Sequence, residues 1–159
     1  MLVREAARED GPELARLRWE FRAEDQPGRS LPEFILQFET WFQEALASRS
    51  WTVAVADSGS GLLQGCMYLH SIHKVPVPGG VHRFWGYVTN AYVAPEHRGK
   101  GIGRKLLDHL VDAARARGFE FLIVWPSRQS VEFYQRAGFR SAANAHPQAD
   151  DVPPFEMVL

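Results

Sequence analysis

Four consecutive segments constrain the fold of this chain more than anything else in it. HRFWGYVTNAYVAP, residues 82–95, is rich in aromatic and β-branched residues and reads as a long strand. PEHRGKGIGRK, residues 95–105, sets Gly99, Gly101 and Gly103 among Arg98, Lys100, Arg104 and Lys105. Ile102, Leu106, Leu110 and Ala114 then recur at helical spacing, with Leu107 and Val111 alongside. Asp108, Asp112 and Arg115 point away from that face, and Gly118 stands where a C-cap is expected. FEFLIVW, residues 119–125, is a nearly continuous apolar run, the pattern of a strand buried on both faces. Strand, helix and strand in this order demand a parallel pair joined by a right-handed crossover.

The remaining segments build around that unit. LVREA (2–6) alternates as a short strand, and Asp10 followed by Glu13 has the spacing of a capping box. Leu14, Leu17 and Phe21 extend a helix from it, and a second helix runs from about Pro32 to Leu46 on Phe34, Phe38, Trp41, Phe42 and Leu46. Between them RAEDQPGRS is a polar loop suited to a substrate entrance. WTVAVA (51–56), the turn-formers DSGSG and LLQGCMYLHSI (62–72) form a hairpin pattern, followed by the connection KVPVPGG. A short helix from about Gln129 to Ala137 ends at Gly138, residues 141–154 are loop-like, and FEMVL closes the chain as a strand. The expected architecture is α/β with a mixed sheet of six to seven strands and four helices, in a single domain over residues 1–159.

Composition narrows the function. With 18 basic and 19 acidic residues the formal net charge is −1, so no global field favours nucleic acid or an anionic membrane. Any anion site has to be local. The one cysteine, Cys66, excludes an intrachain disulfide and a thiolate-rich metal site, and within QGCMYL it reads as a small buried hydrophobe. No metal is expected. The first residues, MLVREAARED, carry charge where a signal peptide needs an apolar core, and no run is long enough to span a bilayer. A cytoplasmic protein is expected.

Glycine inside an element costs roughly 0.5–1 kcal/mol against alanine, so three of them at a helix start imply that something approaches the backbone closely. The first four amides of a helix lack internal partners, and the helix dipole adds partial positive charge there. Flanked by four cations, the segment predicts a phosphate or pyrophosphate site at the N-terminus of the 102–117 helix. A P-loop is excluded, because Gly101 rather than Ser or Thr follows Lys100. The dinucleotide fingerprint also fails, since its third glycine falls one position early at Gly103. A solvent-exposed basic turn is the plain alternative.

Arg98-Gly99-Lys100-Gly101-Ile102-Gly103 fits the pattern R/Q-x-x-G-x-G/A, and SVEFYQRAGF (130–139) fits A-x-x-F-Y-x-x-x-G-F except for Ser130 in place of alanine. In both motifs, and in its order of elements over essentially the whole chain, the sequence closely resembles the GNAT superfamily of N-acyltransferases. The resemblance implies acetyl-CoA as the acyl carrier, with its pyrophosphate on the amides of Arg98, Gly99, Lys100, Gly101, Ile102, Gly103 and Arg104. It implies that the strand ending at Val93 diverges from the 121–125 strand, leaving backbone at Tyr92 and Val93 for the pantetheine arm. Pro95, which cannot donate a ladder bond, suits a strand ending there. Tyr134 falls at the position where many members use tyrosine as general acid, and Phe133 beside it faces the core. Ser127 stands where asparagine is usual; with Ser130 it is assigned to the carrier or, at Ser127, to capping the next helix. Backbone amides at Asn90–Val93 would stabilise an oxyanion.

The general base is less legible. The two central strands contain neither Asp nor Glu, so Tyr87 and Asn90 are the polar candidates for ordering a water. Glu20, Glu24 and Asp25 near the end of the first helix are further candidates, while His82 and His109 read as surface residues and Glu96 as part of the turn. Trp19, Phe21, Trp41 and Trp85 are candidate walls of an acceptor pocket. The expected reaction is acetyl transfer to a primary amine of a small molecule or peptide, by direct attack in a ternary complex; a homodimer is compatible with it. The alternative is a CoA-binding module without catalysis, suggested by the missing strand carboxylate. A nucleic-acid-binding role lacks both net positive charge and an aromatic platform.

Overall fold

The computed structural model describes residues 1–22, 30–80, 83–142 and 154–159. Its elements run β1 (Leu2–Glu5), α1 (Gly11–Arg22), α2 (Leu31–Ser48), β2 (Trp51–Asp57), β3 (Leu63–His73), β4 (Phe84–Val93), α3 (Ile102–Ala116), β5 (Phe121–Val124), α4 (Val131–Arg136), β6 (Arg140–Ser141) and β7 (Phe155–Val158). The seven strands form one mixed sheet in the order β1-β2-β3-β4-β5-β7-β6. β4 and β5 are parallel, with Gly86 opposite Leu122 and Val88 opposite Val124, as the crossover through α3 requires. β1 pairs antiparallel with β2, and β7 with both β5 and β6. Mixed sheet and four helices agree with the sequence expectation. The two-residue β6 is the element that the sequence pattern gave no reason to expect.

Two compact units divide the chain, Met1–Tyr68 with Asn90–Leu110 and Leu69–Thr89 with Val111–Leu159. The first is built on Leu14, Leu17, Phe38, Phe42, Val53, Val55, Cys66, Tyr68 and Tyr92, with α1 and α2 packed on each other. Cys66 is fully buried, and burial pushes its thiol up to about 12, so it packs as an inert apolar side chain. The second unit buries Val88, Val111, Ala114, Phe119, Leu122, Val124, Tyr134, Phe139 and Phe155. No helix among the described residues is long and apolar enough to cross a membrane.

Local chemistry corrects two expectations. Asp10 does not form a capping box with Glu13. Its carboxylate accepts the Ala7 N–H at 2.7 Å and pairs with Arg4, closing a 3-10 turn ahead of α1, while Glu13 accepts the Leu63 N–H and pairs with Arg16. The Asp10 carboxylate is taken up by two bonds from the Arg4 guanidinium and one from the Ala7 N–H, all from residues that precede α1. His109 is not a plain surface residue. It is half-buried on α3, and its Nε2 is enclosed without a hydrogen bond among the described residues.

At Gly65 on β3 two backbones meet. A Cβ there would lie 2.7 Å from the Tyr92 carbonyl oxygen and 3.2 Å from Val93 Cα. Backbone atoms cannot rotate aside as a side-chain tip can. Gly65→Ala is therefore expected to destabilise the fold by about 1–3 kcal/mol, as overpacking does. An unchanged urea midpoint would show that β3 and β4 are not so closely apposed.

Candidate functional site

In the first unit the glycine segment forms a tight turn. Pro95–His97 make a 3-10 turn, Arg98 is extended, and Gly99 and Gly101 take left-handed φ of +73° and +75°. A Cβ at either would meet nothing within 4 Å, so backbone conformation rather than crowding is what selects glycine at these two positions. Gly103 lies inside the first turn of α3. The first bond of that helix to span four residues runs from the Lys105 N–H to the Gly101 carbonyl at 3.2 Å, leaving the amides of Ile102 and Gly103 ahead of it without intrahelical partners.

The flanking cations are partly engaged. Arg98 donates Nε to the Val93 carbonyl at 2.9 Å and lies over the Tyr92 ring, and Lys100 donates Nζ to the Glu96 carbonyl at 2.9 Å. These partners are neutral carbonyls rather than counter-ions. Arg104 pairs with Asp108 at 2.8 Å in an exposed i,i+4 contact, which is weak enough to exchange for another anion. Helix-start amides, left-handed glycines and net positive charge together fit a diphosphate.

β4 supplies the second group of residues. Its pairing with β5 reaches Val88, and the strand continues to Val93. Asn90 takes φ +49°, a left-handed conformation rare for a residue with a side chain, and its Oδ1 accepts Arg18 Nη1 at 2.6 Å. The Val93 carbonyl is already occupied by Arg98, and the Ala94 N–H is donated to Gln64.

In the second unit, Tyr134 is buried on α4, edge-on to Phe133 and Phe139. Burial, with a smaller contribution from Tyr87, pushes its phenol up to about 12, so it stays protonated throughout the neutral range. Tyr87 is edge-on to Trp125. Tyr87 and Tyr134 thus share one environment, whereas Asn90 belongs with Arg18 in the other unit. Ser127 does not cap a helix with its side chain. Its hydroxyl donates to Ser130 Oγ at 3.1 Å, and Ser130 Oγ donates back to the Ser127 carbonyl. A neighbouring hydroxyl satisfies it at lower conformational cost than an amide would.

Among the other candidates, Glu20 is exposed and tied to Arg16, and Glu96 is exposed. Glu24, Asp25 and His82 lie outside the described residues. Trp19 packs on Phe34, Phe21 on Tyr92, and Trp41 on Phe38, Trp51 and Tyr68. Trp85 is stacked on Phe121, and both belong to the second unit. No cluster of His, Cys, Asp or Glu among the described residues is placed to hold a metal.

A glycine turn that leaves amides unpartnered at a helix start, in a chain whose mixed sheet includes the parallel pair β4–β5, is an arrangement able to take a phosphate or diphosphate. The chain belongs to the acetyltransferase (GNAT) family, a family of acyltransferases whose model matches residues 12–139. It is 32% identical over 108 residues to a mycothiol acetyltransferase of Beutenbergia cavernae, covering 66% of this chain and 32% of that protein. It is 34% identical over 56 residues to a glucosamine 6-phosphate N-acetyltransferase of Trypanosoma brucei brucei, covering 35% of this chain and 38% of the relative. These matches span about a third of each relative's length. In fold it is similar to a predicted acetyltransferase of Clostridium acetobutylicum solved with acetyl-CoA, with a TM-score of 0.72 and 22% identity over 94% of this chain and 92% of that one.

Proposed function

We propose that the protein is a cytoplasmic N-acetyltransferase that moves an acetyl group from acetyl-CoA to a primary amine of a small molecule or peptide, within one domain over residues 1–159. The observation that carries this is the glycine turn, whose left-handed Gly99 and Gly101 deliver unpartnered amides at the start of α3. Arg98, Lys100 and Arg104 add charge there, and the two relatives named above are acetyltransferases named for different molecules, so similarity supports the carrier more than the acceptor.

In this reading Gly99 to Arg104 hold the diphosphate, and the β4 backbone at Tyr92 with Ser127, Ser130 and Phe133 positions the pantetheine arm. Because Val93 O already accepts Arg98, the arm's strand-like bonds fall on the groups that remain. Bound acetyl-CoA supplies an activated thioester, so that an N–C bond forms as a C–S bond breaks. One proton leaves the amine and one reaches sulfur. Tyr134 donates the latter, since its buried phenol is neutral at the working pH. Amides of Asn90–Val93 stabilise the oxyanion, and Tyr87 or Asn90 orders a water that accepts the amine proton.

The test combines binding with turnover. Acetyl-CoA at 100 times its Kd is expected to stabilise the protein by about 2.7 kcal/mol, read as a rise in Tm, with DNA and RNA inert. A panel of amines with acetyl-CoA is expected to release free thiol. A Tm that ignores acetyl-CoA overturns the carrier assignment. A Tm rise with silence across a broad panel overturns the catalytic one.

A further inference from the structure

Arg18 on α1 differs in its surroundings from Arg16 on the same helix and Arg4 on β1. Arg4 pairs with both Asp10 and Asp57, and Arg16 with both Glu13 and Glu20. Arg18 is half-buried and has no carboxylate within ion-pair distance among the described residues. Its one polar contact among the described residues is the neutral Oδ1 of Asn90 at 2.6 Å, and its guanidinium lies 5.7 Å from the centre of the Phe21 ring. Burial, followed by the neighbouring Arg22, lowers its affinity for its proton from the ordinary arginine value. A desolvated cation without a counter-ion is costly unless something anionic arrives to meet it.

Two further features converge on the same place. The Tyr68 side chain is 2% exposed and an electrostatic neighbour of Arg18; Asn90 and Cys66 stand within reach of its hydroxyl, but among the described residues neither meets it in good hydrogen-bond geometry. Buried hydroxyls are nearly always well satisfied, so a poorly satisfied one near a guanidinium that has no carboxylate partner among the described residues points to a place for a ligand atom. Asn90, which orients Arg18, holds a left-handed backbone conformation, and strain of this kind collects at ligand-binding positions. All three residues lie in the first unit.

We propose that Arg18, oriented by Asn90 and assisted by the Tyr68 hydroxyl, binds the carboxylate of the acceptor, so that the amine acetylated is an amino acid or a similar carboxylate-bearing molecule. The guanidinium fork offers two parallel N–H donors at the spacing of carboxylate oxygens, and the phenol donates a third. A dianionic phosphate would call for more donors than this cluster holds. This inference rests on the acetyl-transfer reading above.

The experiment uses the full chain, acetyl-CoA and the proteinogenic L-α-amino acids, each paired with its α-carboxamide. At least one acid is expected to be acetylated with a kcat/KM about 30-fold above its amide, the worth of one charge-assisted contact. Arg18→Gln is expected to collapse that acid-to-amide ratio, chiefly through KM for the acceptor, while the acetyl-CoA-induced rise in Tm persists as the control for folding. Tyr68→Phe is expected to lower the ratio less, since it removes one donor and no charge. Amides used as well as acids, or Arg18→Gln slowing both equally, overturns the assignment. So does turnover of glucosamine 6-phosphate with none of the acids. Silence with every acid also overturns it, and a retained acetyl-CoA Tm shift then shows that the carrier site stands without it.

Discussion

Gly101→Val is expected to weaken acetyl-CoA binding by at least about 100-fold by isothermal titration. A β-branched residue at φ +75° costs about 1–3 kcal/mol, and the turn relieves that strain by rotating the peptide groups that start α3. Amides turned away from the diphosphate lose charge-assisted bonds worth about 1.5–3 kcal/mol each. Loss of one such bond together with partial strain reaches the stated factor. Gly59→Val is the control. Gly59 has φ +83° and the same open surroundings, but stands in the β2–β3 turn. It is expected to lower Tm by a similar amount and leave acetyl-CoA affinity alone. Equal affinity in the Gly101 variant and the parent protein would remove the ground for placing the diphosphate at this helix.

Tyr134→Phe is expected to lower kcat by about 100-fold or more, the usual contribution of a general acid, with little change in acetyl-CoA affinity. The phenylalanine ring preserves the edge-on packing against Phe133 and Phe139, so the fold should tolerate it. The pH dependence follows from the environment. Burial and Tyr87 push the phenol up to about 12, above an ordinary tyrosine near 10. A raised value keeps the donor protonated, so activity should climb as the amine loses its proton and show no fall by pH 10. The same shift favours the folded state below pH 10, and that share of stability is lost as pH rises from 10 to 12. A rate that declines near pH 10 would identify a different, solvent-exposed acid. A Phe variant with parental kcat would exclude Tyr134 from proton transfer.

How much of this was legible beforehand depends on the range of the interaction. The parallel β4–β5 pair followed from two strand patterns flanking one amphipathic helix, and Gly118 at φ +73° ended that helix as its position implied. The capping box at Asp10 failed because its competitor, Arg4, is local in space but belongs to a different element, and Asp57 completes the cluster from far along the chain. Ser127 failed as a capping side chain for a smaller reason, a nearer hydroxyl on Ser130. His109 read as a polar-face residue because helical spacing reports direction from the axis, not what the rest of the chain lays over it.

The amino-acid order by itself determined the helices, the strands other than β6, the crossover and the glycine turn, since each rests on backbone preferences and on hydrophobic spacing within a few residues. Only the tertiary structure decided which charges are satisfied. Arg4, Arg16 and Arg18 are equivalent as letters, and it is the folded arrangement that gives the first two a pair of carboxylates and leaves the third with an amide oxygen. Coulombic and hydrogen-bond energies depend on distance and burial, which are set by contacts between segments distant along the chain. The tertiary structure likewise buried Tyr134 and pushed its phenol up to about 12, which no reading of the residue letters supplies.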